Sequence, residues 1–127
     1  MTRILIIEDE DAIRANLRRF LSMEGYEVVE ADNGRTGVEA ARSHLPDLII
    51  CDLMMPELDG FAVLKEVRGD PATRGIAFCF LTASAEKDTR RTGLAQGADE
   101  YITKPFELAE MRAVIKRLLG ESASAGG

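Results

Sequence analysis

An α/β domain built on one open parallel sheet, with helices on both faces, is what this 127-residue sequence predicts. Three observations carry the prediction. Short apolar runs without polar interruption recur along the chain, as expected of strands covered on both faces. Between them lie stretches whose apolar residues fall at helical spacing. The two kinds alternate five times, at roughly 22 residues per unit, and such alternation implies parallel strands joined by right-handed helical crossovers.

The elements read as follows. Ile4 to Ile7 is a continuous β-branched and leucine run, followed by a helical stripe of Ile13, Leu17, Phe20 and Leu21. Tyr26 to Ala31 is a looser strand, and residues 34–43 are a weaker helical candidate. Leu48 to Cys51 is continuous again, and Phe61, Leu64 and Val67 mark the next helix. Ile76 to Leu81 is the fourth strand; the helix predicted over 86–96 carries Gly93 and few large apolar residues. Tyr101 to Thr103 is a short fifth strand, before a stripe of Leu108, Met111, Val114, Ile115 and Leu118. Gly25, Pro46, Pro56, Gly60, Pro71, Gly75, Gly97 and Pro105 punctuate the intervals. Five strands in a doubly wound sheet favour the order 2-1-3-4-5. One domain over residues 1–120 is predicted, with 121–127, small and polar, as a disordered tail or linker stub.

Composition narrows the function. With 46% hydrophobic and 30% charged residues the chain can build a core. A net charge of −6 argues against direct nucleic-acid contact, which needs a basic face. No apolar run approaches the ~18 residues of a membrane span, and the apolar part of the N-terminus is too short for a signal peptide. Cys51 and Cys79 lie inside apolar runs without metal-ligand spacing, and read as small hydrophobes. A cytoplasmic domain is the expectation.

In an open parallel sheet, sites form at the carboxyl ends of the strands where the order switches. Strand one runs into Glu8-Asp9-Glu10-Asp11, and strand three ends in Asp52. With strands one and three as neighbours, Glu8, Asp9 and Asp52 converge. Three crowded carboxylates call for a compensating charge, and oxygen-only ligands suit Mg2+ or Mn2+. Glu10 and Asp11 read instead as acids at a helix N-terminus. Strand four ends in Leu81-Thr82-Ala83 and strand five in Thr103-Lys104-Pro105. A hydroxyl and an ammonium on the same rim complete a site for a cation plus an anionic oxygen group, best matched by phosphoryl.

The segments Ile-Leu-Ile-Ile-Glu8-Asp9-Glu10, Cys-Asp52-Leu-Met-Met-Pro56-Glu-Leu-Asp59-Gly60, Leu-Thr82-Ala83 and Tyr101-Ile-Thr-Lys104-Pro105-Phe together resemble the receiver domain of two-component response regulators. The resemblance covers residues 3 to about 119 and implies the same flavodoxin-like (βα)5 fold. It implies that Asp52 is the phosphoacceptor, charged by a sensor histidine kinase or phosphotransfer protein. It implies Asp9 as a direct metal ligand, Glu8 as the acid that holds the metal through water, and the backbone carbonyl of Met54 as a further ligand. Thr82 matches the switch hydroxyl, Lys104 the cation that pairs with the phosphoryl oxygens, Ala83 the small residue beside them, and Tyr101 the switch aromatic. Tyr101 is expected to turn inward on phosphorylation, altering the fourth helix, fifth strand and fifth helix, where a second receiver could dock. The Lys104-Pro105 bond is a candidate cis peptide. The first acid of this family is more often Asp, so Glu8 is a departure.

Other chemistries fit less well. An aspartyl-nucleophile phosphatase of the haloacid dehalogenase type wants a second Asp where this chain has Met54. A flavodoxin-type electron carrier would have to place a flavin phosphate against four acids. The alternative that remains is a phosphorylation-independent interaction module, a pseudo-receiver, which is expected to lack one of Asp9, Asp52, Thr82 or Lys104. His44 reads as a cation at a helix C-terminus, and Arg90-Arg91 as a solvated face or part of a partner surface.

Overall fold

Five parallel strands form one sheet in the order β2-β1-β3-β4-β5, as expected. In chain order the elements are β1 (Arg3–Ile7), α1 (Asp11–Met23), β2 (Glu27–Ala31), α2 (Gly34–His44), β3 (Leu48–Asp52), α3 (Gly60–Gly69), β4 (Ala77–Thr82), α4 (Lys87–Ala95), β5 (Glu100–Thr103) and α5 (Leu108–Leu118). The computed structural model describes residues 1–83 and 86–120. Ser84 and the 121–127 segment lie outside the described residues.

The uninterrupted apolar runs are explained by two cores. Alternate residues of a strand point to opposite faces. Leu5, Ile7, Ile49, Cys51, Phe78 and Phe80 enter one core with Val38, Val63, Leu64 and Val67. Ile4, Ile6, Leu48, Ile50, Cys79 and Leu81 enter the other with Leu17, Leu21, Met111 and Ile115. Cys51 and Cys79 therefore sit on opposite faces, both free and buried. Burial raises both thiols well above their ordinary range, Cys79 to about 12, so both behave as apolar side chains.

Local chemistry fixes the element ends. Asn33 caps α2 by accepting from the Thr36 N–H at 2.9 Å, and Asp59 caps α3 from the Ala62 N–H at 2.9 Å. Glu10 holds the N-cap position of α1 without a side-chain cap bond, and Asp11 is the acid of the first turn. His44 lies in the last turn of α2, as predicted. Gly60 is required by a close approach: a Cβ there would lie 2.6 Å from the Asp52 carbonyl. The weakness of α4 has a similar cause, since Gly93 is its one buried residue and a Cβ on it would meet the Phe80 ring at 2.9 Å.

Candidate functional site

Parallel register brings the strand ends to one rim. Ile7 pairs with Cys51, Asp52 with Leu81, and Thr82 with Thr103. The residues just beyond are therefore neighbours: Glu8 and Asp9 after β1, Asp52 at the end of β3, Thr82 at the end of β4 and Lys104 after β5. One carboxylate oxygen each from Glu8, Asp9 and Asp52 lies within 4.8 Å of the others. Glu8 and Asp52 are buried, at 1% and 4% exposure.

Lys104 compensates part of that charge. Its Nζ stands 2.8 Å from Glu8 Oε1 and 3.5 Å from Asp52 Oδ2. The cis Lys104-Pro105 bond is present, and the Lys104 N–H donates to the Thr82 carbonyl at 2.7 Å, tying β5 to β4 at the rim. Asp52 Oδ1 accepts from the Met54 N–H at 3.2 Å, and Glu8 Oε2 from the Glu10 N–H at 3.1 Å. The pairing of Lys104 with Glu8 was not legible in the sequence. It brings the buried Glu8 carboxylate, at the end of β1, against the ammonium that follows β5.

The electrostatics follow from burial. Desolvation raises the Glu8 carboxyl to about 7; the bond from Lys104 and the Glu10 N–H oppose the rise, and the charge of Asp52 adds to it. Asp52 is raised for the same first reason, against the attraction of Lys104. Burial alone would lower Lys104, but Glu8 and Asp52 carry it above the ordinary amine value.

The residues fit a hard divalent cation. The donors are all carboxylate oxygens, the set that suits Mg2+ or Mn2+. Glu8 Oε1 is cut off from solvent and faces the Lys104 ammonium at 2.8 Å. One ammonium does not balance three carboxylates.

Around this centre, Met54 projects its side chain outward, at 67% exposure. Thr82 is buried at the end of β4. The Tyr101 ring is inward, 3% exposed, edge-on to Phe80 at 6.3 Å. The Arg90 guanidinium covers it at 5.8 Å and lies 3.6 Å from Glu100. Arg90 thus packs on β5, and Arg91 pairs with nearby Asp88 at 3.7 Å. A groove of about 790 Å3, unannounced by any motif, runs between α1 and α5 past Phe20, Met23, Phe106 and Leu108 to Ala83 and Lys104.

The family model of the response regulator receiver domain matches residues 4–116. The chain belongs to this family. It is 43% identical over 119 residues to the DNA-binding dual master transcriptional regulator RpaA of Synechocystis, covering 94% of this chain and 49% of that one. It is 41% identical to the response regulator MprA of Mycolicibacterium vanbaalenii, covering 92% and 50%. The receiver domain thus spans about half the length of the curated relatives it matches. Among solved structures, a putative response regulator from Chloroflexus aurantiacus superposes with a TM-score of 0.89 at 33% identity, over 94% of this chain and 98% of that one. The receiver domain of sensor histidine kinase PA1611 from Pseudomonas aeruginosa, with a magnesium ion coordinated in its active site cleft, superposes with a TM-score of 0.87 at 30% identity, over 94% and 98%. Receiver domains of this family are signalling switches that interact with histidine kinases or phosphotransfer partners. Among the described residues, no helix is long and apolar enough to cross a membrane.

Proposed function

We propose that this receiver domain takes a phosphoryl group onto Asp52, in a cytoplasmic two-component system, from a histidine kinase or phosphotransfer protein. The observation that carries the reading is the convergence of Glu8, Asp9 and Asp52 with the Lys104 ammonium on one rim. Glu8, Asp9, Asp52 and the Met54 carbonyl would hold Mg2+, which when bound neutralises the oxygens of the transferring group. The ionised Asp52 carboxylate needs no general base: an oxygen attacks phosphorus, the bond to the donor nitrogen breaks, and an acyl phosphate forms. Lys104, 3.5 Å from Asp52 Oδ2, is placed to move from Glu8 to the new oxygens. The Thr82 hydroxyl bonds the same group.

The groove between α1 and α5 shares Ala83 and Lys104 with the acceptor rim, so a donor helix lying in it delivers its phosphohistidine to Asp52. The output is a changed α4-β5-α5 surface, read by a partner or a second receiver. Intact-mass measurement after incubation with a small acyl-phosphate donor tests the reading. One phosphoryl group is expected with Mg2+ and none after chelation; labelling undiminished by chelation overturns the metal-assisted mechanism.

A further inference from the structure

Hydrogen bonds to both neighbouring elements hold the turn that carries two of the three carboxylates. The Glu8 N–H donates to the Ala31 carbonyl at 3.0 Å, and the Glu10 N–H to Glu8 Oε2 at 3.1 Å. A side chain of α1 adds another: Arg14 Nη1 donates to the Glu8 carbonyl at 2.8 Å. The other nitrogens of that guanidinium are also engaged. Nη2 lies 2.6 Å from Asp11 Oδ1, and Nε 3.5 Å from Glu30 Oε1 on the edge strand β2. The side chain is 18% exposed, so α1, β2 and the ligand turn clamp it from three directions.

A cation directly behind a metal site is unfavourable on charge alone, because it repels the ion. Its placement is favourable on geometry. The Glu8–Asp9 peptide is planar, so fixing its C=O direction fixes the plane from which the Asp9 side chain departs. Arginine suits this task because its planar fork reaches a carbonyl and two carboxylates at once, where an ammonium acts as a point charge.

We propose that Arg14 is a positioning residue for the candidate metal centre, orienting the Glu8–Asp9 peptide so that both side chains converge with Asp52. The proposal rests on the reading that these three carboxylates bind a divalent cation. Groups that orient metal ligands typically account for 10- to 100-fold in metal affinity.

The experiment is titration of the full chain with Mg2+ alone by calorimetry, repeated with Mn2+ by electron paramagnetic resonance, alongside urea unfolding of each variant. Arg14→Ala is expected to weaken binding by about 10-fold, although removing a cation should by electrostatics tighten it. Arg14→Lys keeps the charge beside Asp11 and Glu30 but not the fork. It is expected to unfold near the wild-type urea concentration while still binding Mg2+ several-fold more weakly, and it serves as the test should Arg14→Ala not fold. Arg18→Ala removes a cation of the same helix that pairs with Glu30 at 3.4 Å; it is expected to bind Mg2+ as tightly as wild type or more so. Wild-type or tighter affinity in a folded Arg14→Ala or Arg14→Lys variant overturns the proposal, as does an equal loss in Arg18→Ala. A wild-type chain that binds neither ion overturns the metal reading itself, and the proposal with it.

Discussion

Raising the pH of the metal-free protein from about 5 to about 8 ionises a carboxyl group that folding has buried. Glu8 is raised from 4.5 to about 7, first by burial. Between those values the folded protein keeps a proton that the unfolded chain has released, so stability falls as pH rises. Asp52 is raised too and contributes with the same sign. Lys104 is raised above 10.5; its contribution is intact throughout this window and is lost only at higher pH. A shift from 4.5 to about 7, at 1.36 kcal/mol per pKa unit, has a ceiling of about 3 kcal/mol. Metal binding requires the ionised form, so Mg2+ should stabilise the protein more at the upper pH than at the lower. Urea unfolding at both pH values, with chelator or with Mg2+, measures this, and Glu8→Gln should flatten the metal-free trend. Stability that is constant or rises with pH in chelator, or a trend undiminished in Glu8→Gln, refutes the reasoning.

Three further outcomes are expected. Met54 is exposed and apolar and cannot orient an attacking water. Met54→Asn combined with Ser84→Glu should therefore speed phosphate release from the labelled protein; equal or slower release refutes this. Glu57 holds a φ of 67°, in the left-handed region, so Glu57→Gly should stabilise the domain by about 0.5–1 kcal/mol in urea unfolding. A phosphoryl mimic should change amide exchange across residues 82–119 while Tyr101 stays buried, since its ring is already inward. Changes confined to the neighbourhood of Asp52 would contradict the α4-β5-α5 output.

The sheet was legible because both of its faces are covered: runs such as Ile4–Ile7 and Leu48–Cys51 have no polar side to disguise them. Errors at the ends were a residue wide, as where Tyr26 and Ile76 precede β2 and β4 instead of beginning them. The acids were legible because strand order alone brings Glu8, Asp9 and Asp52 together. What could not be read were contacts set by side-chain reach. Lys104 lies 2.8 Å from Glu8 across the rim, and Arg90 covers Tyr101 across two elements. The groove between α1 and α5 arises from packing and leaves no mark in periodicity. Nor did periodicity show that Gly93 weakens α4 so that Phe80 can fit beneath it.

The central claim is that one carboxylate, at the end of β3, receives the phosphoryl group. The most direct measurement is peptide-level localisation of that group by mass spectrometry, after reaction of the intact chain with a small acyl-phosphate donor and Mg2+. The label is expected on Asp52 alone, absent from Asp52→Asn, and reduced but still on Asp52 in Asp9→Asn. A label on another residue in the wild-type chain, or equal labelling of Asp52→Asn, would contradict the account.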